Sequence, residues 1–213
     1  MRREVAGARA GGESSGIACI GLRARTARAI AVVVSGTTGA PRAVTRAEVS
    51  LGTSDTPALF QPHHQVMDLP WDRATAAVTD AERAIEALAT ERLRSLLLDA
   101  RARNLDVVSV ALVGAPDRNL AAIGSPHIRA HAAEGVLFRH VWQVAADAAH
   151  IPSTTFPEKG FEAVAAARLK LPLGAVRARL AEFGRTLGRP WRADEKAAAL
   201  AAWIGLGGTR RVG

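Results

Sequence analysis

Val107-Val-Ser-Val-Ala-Leu-Val113 is the run on which the fold turns. It is almost wholly apolar, too short for a free-standing helix, and has no polar alternate face, so it reads as a strand buried on both sides at the centre of a sheet. Upstream lies a long amphipathic segment, Arg73 to Arg103, with Val78, Ala81, Ile85, Leu88, Leu96 and Leu97 at helical spacing. Thr79 with Glu82 forms a capping-box pattern, an alternative start for that helix. Downstream, Ser125 as cap and Pro126 at the first helical position open a second helix to about Ala149, with Ile128, Val136 and Val141 on its core face.

Working outward, three strand-like runs occupy Ile17 to Leu51: Ile17-Ala-Cys-Ile20, Ala29 to Val34, and Ala43 to Leu51. Gly36 and Gly39-Ala-Pro41 punctuate them, which predicts an antiparallel meander. Gly52 to Trp71 carries Pro57, Pro62 and Pro70 without a clear period and reads as an irregular lid or decoration holding His63-His64. At the other end, Ile151 to Phe156 is a short strand stopped by Pro157. Helices follow at Gly160 to Lys170, Pro172 to Leu187 and Ala193 to Leu206, the last with Ala197, Leu200, Ala201 and Ile204 on one face. The order βββ-α-β-α-β with extra C-terminal helices predicts an α/β fold with a mixed sheet flanked by helices. Val107 to Val113 should lie parallel to the first strand, Ile17 to Leu22, and beside it.

The 213 residues suit one domain, expected over residues 17–206 between a flexible N-terminal tail, 1–16, and a C-terminal tail, 207–213. An apolar content of 48% argues against disorder, and no apolar run approaches the ~20 residues of a membrane span. The first sixteen residues lack the apolar core of a secretory signal, so a cytoplasmic location is expected. The one cysteine, Cys19, sits in an apolar run and reads as a buried strand thiol. The net charge of +8 is nearly all arginine, with lysine only at 159, 170 and 196. It is uneven: residues 1–46 hold eight basic and two acidic groups, residues 160–213 ten and four, and the middle is mildly negative. If the fold joins the ends, they form a basic face for a phosphate-bearing ligand; a solvated arginine surface is the plainer alternative.

Several stretches resemble the RuvC-type Holliday-junction resolvases of the ribonuclease H-like fold: Ile17-Ala-Cys-Ile-Gly21, Val110-Ala-Leu-Val-Gly114 with Asn119, Ala133-Glu-Gly-Val136, Thr155-Phe-Pro-Glu-Lys159 and Asp194-Glu-Lys-Ala-Ala-Ala-Leu-Ala-Ala202. The resemblance spans roughly Ile17 to Leu206 and implies a ribonuclease H-like mixed sheet. It also implies a nuclease site with two divalent metal ions held by carboxylates from the first strand, the fourth strand and the last helix. The chain departs there. The first carboxylate position falls on Gly21, the second at about Leu112, and on the last helix Glu195 stands near the third while Ala198 lies one turn on. A member without the usual two-metal nuclease activity is therefore expected.

Pro126-His-Ile-Arg-Ala-His131, Trp191 and Trp203 lie outside that pattern. His127, His131 and Glu134 share one helical face, a spacing open to a divalent metal, to an anionic ligand or to purely structural use. Arg129 is nearby, and Lys159, Asp194 and Glu195 could approach if the resolvase-like topology holds. His63-His64 has no evident partner and reads as a surface pair, and Trp142 and Trp203 as core. Trp191 between Arg189 and Arg192 is placed as nucleic-acid readers place an aromatic, with a packing role as the alternative. Three functions follow: a nucleic-acid-binding or nucleic-acid-associated module, an enzyme with a rewired site on the His127/His131/Glu134 helix, or a protein-interaction scaffold. No Gly-rich nucleotide loop or nucleophile elbow is present.

Overall fold

The computed structural model describes residues 15–52 and 55–208; the N-terminal tail expected at 1–16 and the C-terminal tail at 207–213 lie almost wholly outside them. Strands β1 (Gly16–Arg25), β2 (Arg28–Gly36) and β3 (Pro41–Ser50) form the meander. Two short helices, α1 (Pro57–Phe60) and α2 (Pro62–Gln65), precede the long α3 (Trp71–Ala102) and β4 (Leu105–Gly114). Then come α4 (Pro126–Ala148), β5 (Ser153–Pro157), α5 (Phe161–Leu169), α6 (Leu173–Leu187) and α7 (Ala193–Gly205).

The sheet order is β3-β2-β1-β4-β5, antiparallel across β1–β2 and β2–β3 and parallel across β1–β4 and β4–β5. The apolar run at 107–113 thus lies beside and parallel to the first strand, as its two-sided burial requires. One face, with Ile20, Leu22, Val110 and Leu112, packs against α3 and α4 around Ile85, Leu93, Phe138 and Trp142. The other, with Cys19, Val32, Ala111 and Val113, packs against α5, α6 and α7 around Phe161, Leu180 and Trp203. This is the α/β arrangement of a mixed sheet flanked by helices that the residue order implied.

Four local readings change. β1 runs on to Arg25 and turns into β2 through Thr26 and Ala27, the latter at φ 56°, so no glycine marks the hairpin. The long helix starts at Trp71, and Thr79 caps nothing; its hydroxyl donates to the Thr75 carbonyl within the helix at 3.3 Å. The stretch after Gly52 holds α1 and α2 rather than only an irregular lid. On α4, Ser125 does accept from the Ile128 N–H at 3.4 Å, but Ile128 itself is exposed, and the core face is Ala130, Ala133, Leu137, Phe138, Val141 and Trp142.

Candidate functional site

The two sides of the sheet hold two different groups of polar residues, and the first stands where the family resemblance put the metal pair. Gly21 faces α7. A Cβ on Gly21 would lie 1.9 Å from the Ala198 carbonyl oxygen and 2.6 Å from the Ala202 nitrogen. The run Ala197-Ala-Ala199 with Ala201-Ala202 makes this approach feasible, because alanine lets a helix backbone come down onto a strand. The register pairs Gly21 with Ala111 and Arg23 with Val113, so the β4 residues sharing that face are Ala111 and Val113. Leu112, expected near the second carboxylate position, packs on the opposite face. Neither strand therefore offers an oxygen ligand here, and the residues do not fit a pair of divalent ions, which need several oxygens each.

An arginine stands there instead. Arg23 is buried, at 2% exposure, and its Nη1 donates to the Val113 carbonyl at 3.2 Å. Its Nη2 lies 2.5 Å from Glu158 Oε2 and its Nε 3.5 Å from Asp194 Oδ1. The Glu158 contact is off the hydrogen-bonding direction, so it counts as an ion pair only. Arg25 grips Asp194 with both Nε (3.1 Å) and Nη2 (2.7 Å), and Arg28 stands 4.0 Å from it. Burial alone would raise the Asp194 carboxyl; the hydrogen bonds and charge of Arg25, with the charges of Arg23 and Arg28, outweigh it and hold the group below its usual range. Glu195 turns away from this cluster. It is buried and accepts from the Arg192 N–H at 2.8 Å, closing the first turn of α7. Lys159 is exposed. A cleft of about 350 Å³ opens beside Arg23, Glu158, Asp194 and Lys196.

Two described arginines of the positive segments, on β3 and after α6, come into contact. Arg46 of β3 donates from Nη2 to the Arg189 carbonyl at 2.8 Å. Among the described residues Arg42, Arg46, Arg189 and Arg192 have no acidic partner. Trp191, between the last two, lies on α6: a Cβ on Gly184 would fall 2.4 Å from its ring, and its Nε1 is buried. The ring is half-buried and packed on the helix rather than held free.

The second group lies across the sheet. His127 and His131 share a face of α4 as their spacing requires, with Nε2 atoms 3.1 Å apart. His64, from α2, joins them edge-on, its ring centroid 4.4 Å from that of His131 and 5.6 Å from that of His127. Glu134, one turn further along α4, is buried and reaches back to α2, accepting from the His63 N–H at 2.9 Å with His64 Nδ1 at 3.4 Å. Burial pushes its carboxyl up to about 7, against the charge of His63 and the N–H groups of His63 and His64. Burial and the neighbouring His131, His127 and His63 lower the His64 imidazole, favouring its neutral form. His63 is buried, 3.4 Å from Glu82 and stacked on Trp71, over which Arg129 also lies at 5.3 Å.

The structure thus separates residues the sequence placed together: Asp194 and Glu195 belong to the α7 face, and His127, His131 and Glu134 to the α4 face. His64, read as one of a surface pair, is a member of the second group. Trp142 and Trp203 are core, as expected, and Trp203 donates from Nε1 to the Thr38 carbonyl at 2.8 Å. Among the described residues no helix is long and apolar enough to cross a membrane.

No protein-family model and no curated protein matches the sequence. Solved structures do. RuvC of Thermus thermophilus superposes with a TM-score of 0.48 at 14% identity, over 88% of this chain and 92% of that one. T. thermophilus RuvC in complex with a Holliday junction substrate gives 0.47 at 16% identity, over 88% and 91%.

Proposed function

We propose that this chain is a ribonuclease H-like domain that binds nucleic acid without cutting it by two-metal hydrolysis, in the cytoplasm. The observation that carries the reading is Arg23, a buried guanidinium paired with Glu158 and Asp194 on the face where the family resemblance calls for two divalent cations. A fixed arginine supplies positive charge but can neither lower the pKa of a bound water nor take up oxygens in an octahedral shell. Asp194 is committed to Arg25, and Glu195 to the backbone N–H of Arg192 at the start of α7. Binding then falls to the adjoining surface, where Arg42, Arg46, Arg189 and Arg192 lack acidic partners and project from two segments that Arg46 ties together.

The test is fluorescence anisotropy with single-stranded, duplex and branched DNA, run beside a cleavage assay in magnesium and in manganese. If four arginines each neutralise one phosphate, duplex affinity should fall roughly 100-fold between about 50 and 200 mM salt. Replacing Arg46 and Arg189 with alanine should weaken binding about equally across sequences and flatten the salt slope, because phosphate contacts position without specifying. Cleavage that disappears in an Asp194→Ala, Glu195→Ala double variant would refute the non-nuclease half. Absence of binding at low salt by folded protein would refute the other half and leave a protein-interaction scaffold.

One observation favours a second reading, an enzyme with its chemistry across the sheet. His64 completes the group begun by His127 and His131, which a purely structural helix face does not require. Under that reading the arginine substitutions would leave activity intact and histidine substitutions would remove it.

A further inference from the structure

We propose that His64, His127 and His131 form a binding site for one divalent transition-metal ion, zinc by preference, on the α3/α4 face. The ligand atoms of the three imidazoles all lie within 4.8 Å of one another. A tetrahedral zinc with bonds of about 2.0–2.1 Å separates its ligand nitrogens by roughly 3.3 Å. The His127–His131 pair, at 3.1 Å, already has that spacing. His64, whose ligand atom lies within 4.8 Å of both, closes on the pair with a movement of up to roughly 1.5 Å, the difference between that distance and the tetrahedral spacing.

Two features separate this group from a chance meeting of surface histidines. The first is Glu134. Its Oε1, anchored by the His63 N–H, stands 3.4 Å from His64 Nδ1. A carboxylate in that place keeps the ring proton on Nδ1 and leaves the lone pair on Nε2, the arrangement that orients and strengthens a histidine ligand. The second is His64 Nε2 itself, which is buried with no hydrogen-bond partner among the described residues. A buried polar atom without a partner calls for one, and a metal ion supplies it.

The donor set names the class of ion. Three imidazoles suit zinc, copper, nickel or iron(II), whereas magnesium and calcium take oxygens. The site is thus distinct from the oxygen-ligated pair of the nuclease resemblance and lies on the other side of the sheet. His127 and His131 are exposed, so three protein ligands leave the fourth position of the ion to water or to a bound anion, as in sites that are not purely structural.

The test uses the full chain after chelator treatment, titrated with zinc by calorimetry and with cobalt(II) by visible absorption, without nucleic acid. One equivalent of each should bind, cobalt giving the intense visible bands of a tetrahedral site. Glu134→Gln should weaken zinc binding about 10–100-fold, and His127→Ala or His131→Ala should weaken it more. The two histidine variants carry the decision, because both side chains are exposed and their removal leaves the metal-free melting curve unchanged. Failure of the folded wild-type chain to bind zinc would overturn the proposal. So would zinc affinity within about threefold of wild type in the His127→Ala, His131→Ala double variant, since the metal would then sit on other histidines. An Arg46→Ala, Arg189→Ala variant should bind zinc as wild type does, so loss of nucleic-acid binding and loss of metal binding remain separable.

Discussion

Substituting alanine at Gly21 should be among the most damaging single-methyl changes available to this protein. The added Cβ would sit 1.9 Å from the Ala198 oxygen, 2.6 Å from the Ala202 nitrogen and 2.9 Å from the Ala198 carbon, where ordinary contact begins at 3.4 Å. All three atoms are backbone, so no rotamer change relieves the clash; α7 must move off β1 by about 1.5 Å. That helix buries Leu200, Trp203 and Ile204 beside its alanines, and a gap of even 0.5–1 Å forfeits a quarter to a half of the dispersion energy across such a contact. The cost should reach the upper end of overpacking, about 3 kcal/mol, or roughly 6–12 °C in Tm for a domain of this size. Gly174→Ala is the control. It lies in the first turn of α6 with nothing within 4 Å of the added carbon, and alanine should stabilise by up to about 0.5–1 kcal/mol through helix propensity. Urea denaturation and calorimetry of both variants read the contrast. A Gly21→Ala protein within about 0.5 kcal/mol of wild type would show that α7 does not press on β1, and the steric case against a carboxylate at that position would fail with it.

Three further outcomes follow from the same face and its rim. Because the Asp194 carboxyl is held below its usual range, its ion pairs contribute stability that is full above an ordinary carboxylate pKa of about 4 and is lost as pH falls through the lowered folded value; Asp194→Asn should therefore flatten the acid limb of stability against pH. Glu195→Ala removes the acceptor for the Arg192 N–H and should cost about 1 kcal/mol in a thermal melt, whereas Glu195→Gln keeps an acceptor and should cost less than half as much, an ordering that a metal-ligand role would not give. Trp191→Ala should lower Tm, by about 2 kcal/mol equivalent for a half-buried ring, and leave single-stranded affinity within about twofold, since the ring is packed on Gly184; a larger loss of affinity at unchanged Tm would restore it as a stacking platform.

The sheet was legible in the sequence because its central strands are buried on both faces and so read as plain apolar runs, 107–113 above all. The start of α4 was legible because Ser125 and Pro126 act locally. What sequence reasoning missed is tertiary. Arg23 and Arg25 look like the end of a strand, yet β1 continues through them because Val113, Glu158 and Asp194, far along the chain, satisfy their charges. The hairpin that follows uses Thr26 and Ala27, which carry no turn signature. His64 sits in a four-residue helix, too short to show any period, and its partners lie more than sixty residues away. The available signal was Pro62 at a helix start before two histidines, in a chain that has only six, against an i, i+4 histidine pair elsewhere.

Polar groups on opposite faces of one sheet need not belong to one site, and here the difference in their chemistry argues that they do not. On the α7 face the two acids beside Arg23 are tied to arginines: Asp194 to Arg25, Arg23 and Arg28, and Glu158 to Arg23 and Arg25. With three arginines to two acids, such a cluster is net positive and disfavours a further cation. On the α4 face, among the described residues, His64 keeps a buried nitrogen without a hydrogen-bond partner, and the neighbouring Glu134 is ion-paired with no group but a histidine. Unspent ligand capacity therefore lies on the histidine side, while four arginines without acidic partners among the described residues, Arg42, Arg46, Arg189 and Arg192, lie on the rim by β3 and α6. One mixed sheet can carry both, because what it fixes is the spacing of the elements and not the reaction they serve.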